Sequence, residues 1–413
     1  MKRIRWKLIF VLLVTTLAAF WSDQIYFSKA KVTRQDVVRI LSPAIRHNQF
    51  PKFLSLEGSA SDNQVLLNYT IDTSSQAYIQ KLFEHYKPDY GALVAMDAET
   101  GEIISMVSYT KNDHLELGNL ALRATFPAAS VFKVVTATAA VDKFKLSPET
   151  IIQFQGRNHT LYKRNVLSAR VNRWTRRVTL KEAFAKSINT VFAKIGINHL
   201  NPDVVEDYAG RFKFNEPITT DVPVQMGHAT LETTDAWEMA EVASGFNRRS
   251  TMSPLQGALI AAAVVNDGKM MSPYVVDSMY SHTGELLYQS TPVVESDVMS
   301  AESAKKLRVL MRATVTSGTS RKMFRDLVRA PAFEEVEFGG KTGSLRGRDP
   351  VGKTDWYVGY AKDGDRKIAV GAITVHRKYW TVRSAYLARK FLEYQLRHPE
   401  LRQARYKSNK NRI

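Results

Sequence analysis

Strand-like and helix-like segments in this chain are segregated along the sequence, and that order restricts the fold more than any other feature. Two β-rich runs flank "DAETGE" in "GALVAMDAETGEIISMVSY". They predict a hairpin in which Gly101 supplies the turn geometry. Helical segments follow from about Ala128 to Gly196. "MSPLQGALIAAAVVNDGKMMSP" predicts a long apolar helix that starts near Pro254 and stops at Asp267-Gly268. Three strand-like runs come late, in "VEFGGKTGS", "TDWYVGYA" and "KIAVGAITV". A closing helix, "SAYLARKFLEYQL", then carries Tyr386, Leu387, Phe391 and Tyr394 on one face. Hairpin, helices, three strands and helix form an α+β order, not the alternation of a parallel-sheet protein.

The N-terminus bears on location. "MKRIRWK" is basic, and "LIFVLLVTTLAAFW", Leu8 to Trp21, carries no charge. This is an export signal. The run is short of the roughly 20 residues of a full span. No clear small-x-small cleavage site follows, and Trp6 and Trp21 stand where interfacial aromatics would stand. Residues 1–27 therefore read as an uncleaved anchor with its positive end inside the cell, a cleaved signal being the alternative. That expectation places the rest of the chain at the cell membrane, on the extracytoplasmic (periplasmic) side.

Composition narrows the partners. The net charge of +18 implies an anionic environment, and export turns that away from nucleic acid towards membrane or wall polymers. With no cysteine in the 413 residues, disulfides, Cys-ligated zinc and thiol catalysis are excluded. Neither a metal nor a cofactor is expected. Residues 28–86 read as a short stalk or linker. It contains a strand in "NQVLLNYTID" and a helix in "SSQAYIQKLFEHY" capped by Ser74 or Ser75. Residues 87–396 read as the main domain and residues 397–413 as a basic flexible tail.

Three short motifs follow the hairpin in order: Ser130-Val131-Phe132-Lys133, Ser187-Ile188-Asn189, and Lys341-Thr342-Gly343-Ser344 on a predicted strand. Each is weak alone, but together they describe acyl transfer. A serine hydroxyl is a poor nucleophile without a base beside it. Residues i and i+3 share a helix face, so Lys133 can reach Ser130. Lysine is a base only when neutral, which requires burial and nearby positive charge, and Lys341 supplies such a charge. Ser187 is placed to relay a proton and Asn189 to hold a substrate amide. The amides of Ser130 and Ser344 would form an oxyanion hole. Gly343 permits close approach to the strand. The Thr342 and Ser344 hydroxyls, with Lys341, can hold a terminal carboxylate.

These motifs, the hairpin, "MSPLQGALIAAAVVNDGK" and "TDWYVGYA" make the chain resemble a penicillin-binding protein, a serine acyltransferase of the penicilloyl-serine family, from about Tyr90 to Leu396. The resemblance implies an antiparallel sheet flanked by helices, with a helical subdomain and the nucleophile at a helix N-terminus beside the sheet edge. It also implies an acyl-enzyme with D-alanyl-D-alanine stem peptides and acylation by β-lactams. Many relatives carry glycine before the nucleophile. Here it is Ala129, so distorted backbone is expected there first. The third motif often ends in threonine, and here it ends in Ser344.

Within the family, the anchor and the long segment between Asn189 and Lys341 favour a peptidoglycan D,D-transpeptidase. Fewer than 90 residues precede the hairpin, too few for a glycan-polymerising domain, so a separate polymerase is the expected partner. The alternatives are a D,D-carboxypeptidase or endopeptidase, a β-lactam-hydrolysing enzyme, or a β-lactam sensor. Asn189 stands where a class D β-lactamase would usually carry valine. Glu216, the nearest candidate for a class A deacylating glutamate, lacks the Leu-Asn that should follow. One feature is left over: from Thr150 to Lys181 there are eight Lys or Arg and no Asp or Glu. That run reads either as a solvated basic face or as a patch for anionic wall polymer or phospholipid heads. Arg346 and Arg348 would extend the patch or steer the substrate carboxylate.

Overall fold

The computed structural model describes residues 32–55, 64–112, 117–229 and 235–400. The expected anchor and most of the basic tail lie outside the described residues. Among those described, no helix is long and apolar enough to cross a membrane.

The predicted hairpin is β1 (Tyr90–Asp97) and β2 (Ile103–Thr110). The three late runs are β3 (Glu337–Arg348), β4 (Val351–Asp363) and β5 (Arg366–His376). β5 pairs antiparallel with β1, setting Gly371 opposite Val94, so the end of the domain closes onto its beginning. The strand order is β3-β4-β5-β1-β2, which leaves β3 at an edge. Both faces are covered, and β1 shows why its sequence lacks polar alternation. Ala92, Val94 and Met96 enter one core while Leu93 and Ala95 enter the other.

Against the first face lies α4 (Pro254–Val265), buried along its whole length as an all-apolar helix must be. Ser253 caps it, its hydroxyl accepting from Gln256 N at 3.1 Å. It stops before Asp267 and Gly268, both at positive φ. The opposite face is covered by α1 (Thr73–Tyr86) and α6 (Ser384–Arg397), whose Ile79, Phe83, Leu387 and Phe391 share the second core. Tyr78 stacks on Tyr394 at 4.6 Å between ring centres.

Residues 28–86, as far as they are described, do not stand apart as a stalk. The helix Arg34–Arg46 buries Val37, Leu41 and Ile45 in the first core. The strand Gln64–Tyr69 pairs with Val276–Ser281, and α1 packs on β2. The cap of α1 is Asp72 rather than Ser74 or Ser75. Its carboxylate accepts from both serine amides, at 2.9 and 3.2 Å. A carboxylate is an acceptor only and adds negative charge at the helix N-terminus.

On the α4 side, a helical layer is built around α2 (Lys133–Asp142) and α3 (Asn189–His199). It also holds the helix Ala236–Ser244 and α5 (Ala301–Thr316), which packs on β3. The three motifs meet where this layer reaches the edge strand.

Candidate active site

Ser130 lies in a 3-10 turn, Ala129–Phe132, that runs straight into α2 at Lys133. Lys133 is fully buried, and its Nζ lies 2.7 Å from Ser130 Oγ and 2.8 Å from Asn189 Oδ1. The carbonyl of Ser244 accepts from the same nitrogen. A neutral amine has two N–H groups and one lone pair. The two oxygens Asn189 Oδ1 and Ser244 O take both N–H groups, and the lone pair is left for the Ser130 hydroxyl proton. Electrostatics favour that state: burial, then the charge of Lys341, hold the Lys133 amine well below the ordinary lysine range.

The turn is strained where the sequence predicted it. Ala129 has φ 50°, a left-handed conformation that glycine adopts freely and alanine does not. Gly245, at φ 64°, packs directly beneath it. A Cβ at Gly245 would sit 1.9 Å from the Ala129 carbonyl oxygen. Gly245→Ala should therefore push the Ser130 turn out of place and lower the rate of β-lactam acylation by about 10²-fold, the size of effect a 1 Å misplacement produces. Stopped-flow acylation measures this, with circular dichroism checking the fold.

Ser187 and Asn189 lie between the helix Leu180–Ala185 and the start of α3. Ser187 is also strained, at φ 53°. Asn189 Nδ2 donates to the His159 carbonyl at 3.0 Å, which fixes the amide so that its oxygen faces Lys133. Lys341 is fully buried on β3. Its Nζ lies 2.9 Å from Ser187 Oγ and donates to Thr342 O at 2.7 Å. Burial brings its amine down to about 7.

Gly343 lets the edge strand approach the serine turn. A Cβ there would lie 3.3 Å from the Ser130 amide nitrogen and 3.2 Å from that of Val131. The sheet is tied to the turn a second time by Trp356, whose Nε1 donates to Pro127 O at 2.9 Å. A cleft of about 630 Å³ opens here, lined by Ser130, Ser187, Asn189, Thr342, Gly343 and Ser344. All eight residues singled out by the motifs are thus brought to one place. Two lysines are buried behind the cleft and hydroxyls line it.

Other parts of the site had no sequence signal. Ser244 is 111 residues from Lys133, and only its backbone carbonyl takes part. His159 lines the cleft, its imidazole held below its ordinary range by burial and by the two lysines. Thr319 Oγ1 lies 2.5 Å from Thr342 Oγ1. The cations that line the cleft are Lys322, Lys353 and Arg383, not Arg346 or Arg348. Glu216 does not line the cleft.

Comparison with known proteins points to one family. The family model for the penicillin binding protein transpeptidase domain matches residues 91–393. The peptidoglycan D,D-transpeptidase PbpA of Mycolicibacterium smegmatis is 29% identical over 317 residues, covering 69% of this chain and 62% of that protein. This chain thus spans about three fifths of that relative's length. The D,D-transpeptidase domain of a peptidoglycan glycosyltransferase from Eggerthella lenta superposes with a TM-score of 0.67 at 23% identity, covering 84% of this chain and 86% of that one. The imipenem acyl-enzyme of penicillin-binding protein A from M. tuberculosis gives a TM-score of 0.67 at 23% identity, covering 81% and 80%. These two likenesses show a shared fold.

Proposed function

We propose that this chain, which belongs to the penicillin-binding protein transpeptidase family, cross-links peptidoglycan stem peptides through an acyl-enzyme on Ser130. The observation that carries the reading is the 2.7 Å approach of Lys133 Nζ to Ser130 Oγ, with both other amine positions of Lys133 already occupied. Lys133 takes the hydroxyl proton as Ser130 Oγ attacks the penultimate D-alanine carbonyl. The oxygen of that carbonyl gains negative charge beside the Ser130 amide and the edge of β3. The C–N bond then breaks. The departing D-alanine nitrogen receives a proton by way of Ser187, which touches Lys341 Nζ at 2.9 Å. An acceptor amine attacks the resulting ester, the C–O bond breaks, Ser130 regains the proton held by Lys133, and the proton lost by the amine returns to the Ser187–Lys341 pair. Asn189 and the outer edge of β3 hold the donor peptide between them, and Thr342, Ser344 and Lys341 receive its terminal carboxylate. In a β-lactam the ring amide takes the place of the scissile bond, and its leaving nitrogen stays tethered.

The same reading makes a separate glycan polymerase the partner that supplies strands, and the outer side of the cytoplasmic membrane the place of action. The test uses a D-alanyl-D-alanine stem peptide with a free amine acceptor and follows products by mass. The expected outcome is a cross-linked product that grows with acceptor concentration at the expense of hydrolysis. Release of D-alanine with only hydrolysed peptide, at any acceptor concentration, would reassign the chain as a carboxypeptidase.

A further inference from the structure

Apart from Asn158 and His159, which hold Asn189, the lobe from Thr150 to Lys181 takes no part in the chemistry above, and its surface combines two properties. It has eight Lys or Arg and no acid of its own. Among the described residues only Lys181 has an acidic partner, Glu149 at 2.7 Å. The lobe also exposes large apolar side chains. Val171 is 66% exposed, Trp174 69%, Tyr162 52% and Leu167 45%. Cations and apolar groups are interleaved along one short stretch, with Arg170 and Arg173 beside Val171 and Trp174. Arg173 lies over the Trp174 ring at 4.9 Å and Arg164 over Tyr162 at 6.0 Å.

This stretch is held in place by its backbone. Trp174 N donates to Asn172 Oδ1 at 2.9 Å, and Asn172 N donates to Thr175 Oγ1 at 2.9 Å. Gln155 Nε2 donates to Arg170 O at 2.7 Å, and Lys194 Nζ anchors Ser168 O at 2.7 Å. The strands Ile151–Phe154 and Arg176–Thr179 pair at its base. The apolar tip is therefore presented outward by a pinned turn.

A soluble polyanion would be satisfied by the cations and would leave Val171 and Trp174 in water. A bilayer of anionic lipid satisfies both sets. Arg and Lys meet the headgroup charge, and Trp and aliphatic side chains enter the headgroup–acyl boundary. We infer that the Thr150–Lys181 lobe is a docking surface for an anionic phospholipid bilayer, with Val171 and Trp174 inserted and the arginines on the headgroups. Docking there sets the mouth of the cleft near the membrane, because Asn158 and His159 of the same lobe hold Asn189 by its amide nitrogen (2.8 Å) and its side chain (3.0 Å). This inference does not depend on the reaction at Ser130.

The full chain lacks cysteine, so Val171→Cys provides one thiol for an environment-sensitive fluorophore. His282→Cys, on an exposed turn remote in sequence, is the matched control. Each is reconstituted in phosphatidylcholine vesicles with or without about 30% phosphatidylglycerol. The expected result is a blue shift of the probe at 171 on the anionic vesicles only, with none at 282. It should weaken in 1 M salt, where the Debye length is about 3 Å. Arg170→Gln, Arg173→Gln and Arg177→Gln together should reduce the shifted fraction by about tenfold or more. Circular dichroism checks the fold of each variant. No shift at low salt, an equal shift on neutral vesicles, or a shift produced by isolated peptidoglycan sacculi and not by vesicles would each overturn the inference.

Discussion

Lys133→Met should lower the second-order rate of acylation by a β-lactam by about 10²–10⁴-fold, the usual worth of a positioned general base. The substitution keeps the length and apolar stem of the side chain and loses the hydrogen bonds to Asn189 and Ser244, about 1 kcal/mol each, so the fold should survive. The pH profile separates a base from a spacer. In the native chain the proton-accepting form of Lys133 must be neutral. Burial and Lys341 hold its amine well below the ordinary lysine range, so that form is already available towards neutrality. The acylation rate should climb with pH below that lowered value, with a slope approaching one in log units, and then level off. In Lys133→Met the residual rate should lose this limb. A variant that is slower but keeps the same limb would show that another group supplies the base.

Lys341→Met should move activity and stability in opposite directions. The loss of activity should be about 10²-fold or more. It removes the charge that depresses Lys133 and the partner of the Ser187 hydroxyl. Stability should rise. The ordinary lysine value is 10.5, and burial brings Lys341 down to about 7 in the folded chain. Between those values the unfolded chain binds more protons than the folded one, so folding weakens as pH falls through that window. At pH 7 the cost is about 4 kcal/mol. Lost hydrogen bonds to Ser187 and Thr342 offset part of the gain, leaving roughly 1–3 kcal/mol. Urea unfolding at pH 7 and pH 10 checks this: the midpoint should rise in the variant at pH 7, and the gain should shrink at pH 10. A site that stores this much unfavourable burial holds it for function.

Much of this was legible before the structure. The i, i+3 spacing of Ser130 and Lys133 is local, and a helix turn was enough to join them. Alanine before the nucleophile is a one-letter signal, and the φ of 50° at Ala129 is the distortion expected there. Segregated strands gave the α+β class, and the three late runs did become consecutive antiparallel strands. What stayed hidden was long-range or backbone-borne. Ser244 acts through its carbonyl, which any residue type carries, and His159 fixes Asn189 in the same way. Amphipathic spacing in "SSQAYIQKLFEHY" revealed a helix but not what would cover its apolar side. That is why α1, with Ile79 and Phe83 in the second core, read as part of a stalk. The cap at Asp72 lies just outside the periodic stretch, although carboxylates cap as well as hydroxyls do. The cations of the cleft come from β4, the helix Arg321–Val328 and the residue before α6, three separate places in the chain.

Every step proposed above passes through a covalent intermediate on one serine. Incubation of the full chain with penicillin G, followed by intact mass and peptide mapping, measures it directly. The expected result is a mass increase of one penicilloyl group, located on the peptide that contains Ser130, and no increase in a folded Ser130→Ala variant. An adduct on another residue, or one that persists in Ser130→Ala, would contradict it.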